Sequence, residues 1–136
     1  MIKVVIFDYF GVIWYLRRRS QILKFATELR AQGISTPILS NVIKPIGWVL
    51  RKTGAYAGFE PVLLSGELGT NKPGPEIYKL VLSKLTYKSS ECIFIDNRSE
   101  NLVEPKAMGV HVVLAKNPDQ IIFDTKKIIE EQLSSK

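Results

Sequence analysis

A chain of 136 residues is one domain's length and can bury roughly two-thirds of its unfolded surface without disulfides or a structural metal. With 46% apolar and 24% charged residues, and no run near the ~18 consecutive apolar residues of a membrane span, the composition is that of a soluble globular protein. The formal net charge of +6 and pI of about 9.5 favour acidic partners such as phosphorylated compounds, whereas a nucleic-acid partner lacks the aromatic interleaving and motifs that would support it.

The stretch from Ile2 to Ile13, I-K-V-V-I-F-D-Y-F-G-V-I, opens as a run of β-branched and aromatic residues and breaks at Asp8 and Gly11. It predicts a buried strand that delivers a carboxylate into a loop. Arg17, Arg18 and Arg19 read as a solvated helix start. From Ser20 to Gln32, Ile22, Phe25, Ala26 and Leu29 keep i, i+3, i+4, i+7 spacing ahead of Gly33, so an amphipathic helix is expected there. Thr36 to Leu39 is a second strand with Ser40 and Asn41 at its tip. A helix from about Pro45 to Gly54 follows, with Trp48 and Val49 expected to face the core.

Pro61 to Leu64 reads as a third strand and Ser65 to Glu76 as a loop rich in turn formers. Pro75 begins a helix carrying Tyr78, Val81, Leu82 and Leu85 at helical spacing. Cys92 to Ile95 is a fourth strand that again ends in a carboxylate, Asp96. A short helix runs to about Met108, a fifth strand spans Val110 to Leu114, and a last helix opens at Asn117 and Pro118, with fraying expected from Ser134 to Lys136. Strict β/α alternation implies a three-layer, doubly wound α/β fold: a Rossmann-like parallel five-stranded sheet with helices on both faces. Cys92, the single cysteine, cannot form an intrachain disulfide and fits a reducing cytoplasm.

In such a sheet the strand ends share one edge, which gathers Asp8, Ser40 with Asn41, Lys72, and Asp96 with Asn97, Glu100 and Asn101. Two carboxylates brought together need a proton or cation between them, and hard oxygen ligands suit Mg²⁺. A hydroxyl, an amide and an ammonium suit the oxygens of a phosphoryl group. His111 lies in an apolar strand and reads as structural, Asp119 and Asp124 as helix-start residues, and Glu67 as a loop carboxylate within reach of the site.

Four stretches, F-D-Y-F-G-V at Asp8, I-L-S-N at Ser40, L-S-G-E-L-G-T-N-K-P-G-P-E-I-Y at Lys72 and I-F-I-D-N-R-S-E-N at Asp96, together resemble the motifs of the haloacid dehalogenase-like hydrolase superfamily. The resemblance covers nearly the whole chain. It implies a Mg²⁺-dependent phosphatase or phosphotransferase in which Asp8 is the nucleophile and forms an aspartyl-phosphate. It further implies that Asp8, the backbone carbonyl of Phe10 and Asp96 hold the metal, with Asn97 or Glu100 acting through water. Ser40, Asn41, Lys72 and Gly11 would then surround the phosphoryl group, with Lys72 also contributing to catalysis.

Two departures from the family pattern shape the expected activity. Family phosphatases have an acid two residues beyond the nucleophile, where this chain has Phe10. General acid–base help is worth ~10²–10⁴-fold, so unactivated esters should react slowly, and acyl or aryl phosphates faster than alkyl ones. The true dehalogenases also lack that acid, so metal-independent C–halogen hydrolysis is an alternative, as is a non-catalytic phosphate-binding module. The second departure is the missing lid. Thirty-two positions separate Asp8 from Ser40, and again Ser40 from Lys72, too few for a cap domain. An open site implies a macromolecular phosphorylated substrate, or a small one beneath a second subunit of a homo-oligomer. Trp14 and Tyr15 are candidates for a partial flap, a subunit contact, or ordinary core packing.

Overall fold

Five parallel strands form one sheet in the computed structural model, which describes residues 1–14 and 19–134. They are β1 (Val4–Phe7), β2 (Ile38–Ser40), β3 (Val62–Leu64), β4 (Cys92–Asp96) and β5 (His111–Leu114), in the spatial order β3-β2-β1-β4-β5. The helices are α1 (Arg19–Ala31), α2 (Lys44–Lys52), α3 (Ser65–Leu68), α4 (Pro75–Leu85), α5 (Val103–Ala107) and α6 (Pro118–Ser134). Tyr15, Arg17, Arg18, Ser135 and Lys136, of which the sequence raised expectations, lie outside the described residues.

Successive strand residues point to opposite faces, so each central strand supplies two cores. Val5, Phe7, Ile93, Ile95 and Val113 pack with Ile22, Phe25, Ala26 and Leu29 of α1 and Ile121 of α6. On the other face Val4, Ile6, Leu39, Leu63 and Phe94 pack with Ile77, Tyr78, Val81 and Leu85 of α4. The doubly wound sheet expected from the β/α alternation is what forms. Gly33 ends α1 at φ +83°, a conformation glycine adopts without strain, and the Ile34 N–H closes back on the Leu29 carbonyl.

Two expectations fail. Trp48 and Val49 do not face the core: they are 61% and 47% exposed. The side of α2 that packs inward carries Gly47, where a Cβ would stand 2.8 Å from Leu64 Cδ1, so the helix seats on β3 through its bare backbone and turns its larger apolar residues outward. The stretch after β3 is not all loop either. Its first four residues form α3, held because Ser65 Oγ accepts from the Val42 N–H at 2.9 Å and the Gly66 N–H donates to the Val42 carbonyl. No helix among the described residues is long and apolar enough to cross a membrane.

The winding reverses between β1 and β4. β1 has β2 on one side and β4 on the other, and the connections diverge there, leaving a crevice at the strands' C-terminal ends. Phe7 is in register with Ile95, so the residues that follow, Asp8 and Asp96, emerge side by side although they lie far apart in sequence.

Candidate active site

The Asp8 N–H donates to the Ile95 carbonyl at 3.0 Å, which extends the β1–β4 ladder one residue past the strand and fixes where the carboxylate starts. Lys72 arrives from the loop between α3 and α4. Its backbone is set by Asn41, whose Nδ2 donates to the Lys72 carbonyl and whose Oδ1 accepts from the Lys72 N–H, both at 2.9 Å. The Lys72 ammonium then donates to Asp8 Oδ1 at 3.0 Å, Asp96 Oδ2 at 2.8 Å and the Leu39 carbonyl at 3.0 Å.

Asp96 is wholly buried and fully engaged. Besides Lys72, Asn101 Nδ2 donates to Oδ2 at 3.1 Å and the Arg98 N–H donates to Oδ1 at 2.9 Å. Asn101 is itself held by the Tyr78 hydroxyl, which donates to its carbonyl at 2.7 Å. Burial pushes the Tyr78 phenol well above its ordinary range, which keeps it a donor. Asp8 is different. Burial pushes its carboxyl up to about 6; Lys72 pulls against that shift and negative Asp96 adds to it.

These groups open into a cavity of about 620 Å³ lined by Asp8, Ser40, Asn41, Lys72 and Asn101, and by Phe10, Gly11, Trp14, Asn97 and Arg98. The volume falls within the range of small-molecule sites. Ser40 Oγ is buried here without a hydrogen-bond partner in the protein, a state that costs free energy unless a ligand or water completes it. Gly11, at φ +83°, lies directly under Asn97: a Cβ would stand 2.4 Å from Asn97 Nδ2, so the loops after β1 and β4 touch only because position 11 has no side chain.

No protein-family profile matches the chain. Among curated proteins it is similar to acyl-CoA dehydrogenase family member 10 of Mus musculus, at 26% identity over 76% of this chain and 10% of that protein. It is also similar to the sesquiterpene phosphatase astK of Aspergillus oryzae, at 28% over 70% and 49%, and to the glyceraldehyde 3-phosphate phosphatase of Methanocaldococcus jannaschii, at 27% over 76% and 49%. The chain thus spans about half or less of the length of these relatives. Among solved structures, an uncharacterized protein from Corynebacterium glutamicum superposes with a TM-score of 0.84 at 22% identity, covering 96% of both chains. A predicted HAD-like family hydrolase from Porphyromonas gingivalis gives 0.75 at 16%, covering 95% and 98%. A HAD family enzyme from Bacteroides thetaiotaomicron, solved with magnesium and inorganic phosphate, gives 0.71 at 19%, covering 85% and 95%. The fold and the four motif stretches agree. The chain has the fold of solved haloacid dehalogenase-like hydrolases, the superfamily whose motifs its four stretches resemble.

No lid domain is inserted between the four motif stretches among the described residues. Among the described residues, the Asp8–Ser40 interval carries a loop and α1, and the Ser40–Lys72 interval carries α2, β3 and α3. Of the residues singled out from sequence, Asp8, Phe10, Gly11, Ser40, Asn41, Lys72 and Asn97 line one cavity, and Asp96 stands beside it bonded to Lys72. Glu100 does not join them. It is exposed and pairs with Arg98 at 3.3 Å, because the short 3-10 turn Ser99–Leu102 points Asn101 inward in its place. Asn41, expected at the phosphoryl group, commits both polar atoms to the Lys72 backbone and acts through that lysine. Glu67 grips Arg51 at 2.7 Å and lines no part of the cavity. His111 Nε2 lies 3.2 Å from the Ser90 carbonyl, as befits a structural residue. Sequence reasoning placed Asn101 at this edge without assigning it a partner and gave Arg98 no role, although both stand in the stretch that carries Asp96. Spacing within a 3-10 turn was the missing signal.

Proposed function

We propose that the protein is a Mg²⁺-dependent phosphohydrolase acting through a phosphoryl group on Asp8. The observation that carries this reading is the pairing of a poised carboxylate with a lysine and an unpartnered serine hydroxyl on the floor of one cavity. Asp8 attacks phosphorus through a carboxylate oxygen, and the departing oxygen keeps the bonding pair. Lys72 and Ser40 donate to the phosphoryl oxygens, and water then opens the acyl phosphate to return Asp8 and inorganic phosphate. Phosphotransfer to another hydroxyl would use the same intermediate. Phe10 supplies no proton, so the leaving group must depart as an anion.

The residues present fit the metal. Two buried carboxylates face a single ammonium, an arrangement that favours a further cation beside them. No group of three acidic, histidine or cysteine side chains converges anywhere among the described residues, so a cation here would take Asp8, Asp96, the Phe10 carbonyl and Asn97, and complete its shell with water and substrate. Mg²⁺ binds in that manner, through one or two carboxylates and substrate phosphate. Bound there, it would neutralise charge between nucleophile and phosphoryl group. The magnesium and phosphate of the Bacteroides enzyme and the phosphatase names of two relatives support the same chemistry. A reducing cytoplasm suits the buried Cys92, whose thiol burial pushes up to about 11.

Phosphate release from acetyl phosphate and para-nitrophenyl phosphate tests the reading, with and without Mg²⁺, for the wild type and Asp8→Asn. Turnover should require the metal and fall by more than ~10³-fold in the variant. Metal-independent chloride release from 2-chloropropionate would instead establish dehalogenation, and phosphate binding without turnover a binding module. The uncovered cavity fits either a macromolecular phosphate or a small substrate beneath a second copy of the chain, which light scattering separates.

A further inference from the structure

The cavity is larger than a phosphoryl group requires, and its two ends differ. Asp8, Ser40, Lys72 and Asn101 are buried at the floor, while Phe10 and Trp14 stand at the rim, 42% and 48% exposed, with exposed Arg98 across the opening. The two rings are not loosely placed. The Trp14 N–H donates to the Tyr9 carbonyl at 2.9 Å and the Gly11 N–H to the Trp14 carbonyl at 3.2 Å, a tight turn that brings both side chains to the same side. A file of edge-to-face contacts backs them: Phe10 on Trp14 at 6.2 Å, Tyr9 on Phe10 at 5.0 Å and Tyr56 on Tyr9 at 5.0 Å, with Tyr9 and Tyr56 buried. A preformed aromatic surface of this kind binds flat apolar groups with little ordering cost.

We propose that Phe10 and Trp14 form a leaving-group subsite that selects aryl phosphate esters, an inference that rests on the phosphohydrolase reading above. With the phosphoryl group on Lys72 and Ser40, the aryl ring lies on the shelf. The bond from phosphorus to the aryl oxygen breaks as the bond to the Asp8 oxygen forms. The electron pair stays on the phenolate, which takes its proton from bulk water. The residue that cannot donate a proton thus contributes to binding the class of leaving group that needs none.

The test measures binding without turnover. Calorimetric titration in Mg²⁺ compares 1-naphthylmethylphosphonate with methylphosphonate, which share the phosphonate and differ in the ring. The aryl compound should bind at least ~10-fold tighter to the wild type. That ratio should fall toward one in Trp14→Ala and be restored in Trp14→Phe. Equal affinities for the two compounds, or a ratio that survives Trp14→Ala, would overturn the subsite and leave the phosphohydrolase reading intact. Binding of neither would overturn both.

Discussion

An aspartate follows directly on β1 and another closes the neighbouring β4, yet the two are in opposite conditions. Asp96 is sealed and accepts from Lys72, Asn101 and the Arg98 backbone, so its charge is balanced in place. Asp8 borders a cavity, shares only the lysine among side chains, and is held up near 6 by burial and by its neighbour. The comparison teaches that reactivity is assigned by the second layer of donors. The carboxylate with the fuller set of partners becomes a fixed anchor, and the one with fewer is left to meet a substrate.

If that assignment is right, removing the anchor should be the costlier change to the fold. Asp96→Ala leaves the Lys72 ammonium and the Asn101 amide short of a buried acceptor, and should lower unfolding stability by about 3–5 kcal/mol in urea denaturation. Asp8→Ala should cost clearly less, and equal losses would erase the distinction. Next in size is a pH effect confined to Asp8. Its folded value lies above the unfolded one, so its contribution is fully present below pH 4 and is lost as pH rises through about 6. In chelator, wild-type stability should therefore decline by up to about 3 kcal/mol between pH 4 and 7, and Asp8→Asn should flatten that decline.

A smaller change in rate is expected from Phe10→Asp, which places a proton donor beside the poised carboxylate. Turnover of an alkyl phosphate should rise ~10²-fold while that of 1-naphthyl phosphate gains less, because the same change removes part of the shelf. Parallel gains on both esters would deny the shelf its role. The smallest effect belongs to the anchor's outermost support. Tyr78→Phe deletes the hydroxyl that holds Asn101 and should cost about 1 kcal/mol by thermal unfolding, without altering the phosphonate affinities.

Asp8, Ser40 and Asp96 were legible in the sequence because each stands at a break in an apolar run, and a parallel sheet brings such breaks to one edge; Lys72, inside a turn-rich loop, was legible through the motif its stretch resembles. The outward face of α2 was not legible. Apolar spacing marks Trp48 and Val49 as core residues, but a helix that seats on Gly47 buries its backbone and leaves those side chains outside. The hold of Asn41 on the Lys72 backbone was equally hidden, since nothing local distinguishes an amide that binds ligand from one that binds a distant main chain. Gly66 belongs to the same class. Its Cβ would meet the Val42 carbonyl oxygen at 2.7 Å, so α3 presses against the segment just after Asn41 through a contact that only three dimensions disclose.

The placement of β4 between β1 and β5 has a consequence for how the protein comes into being. A chain leaving the ribosome presents Asp8 early, with β1, β2 and β3 able to pair behind it, but the lysine's second acceptor arrives only when β4 docks on the exposed flank of β1. Until that late, long-range pairing closes, the nascent protein carries Asp8 without its site, so the chemistry proposed for it would begin only once the sheet is nearly finished.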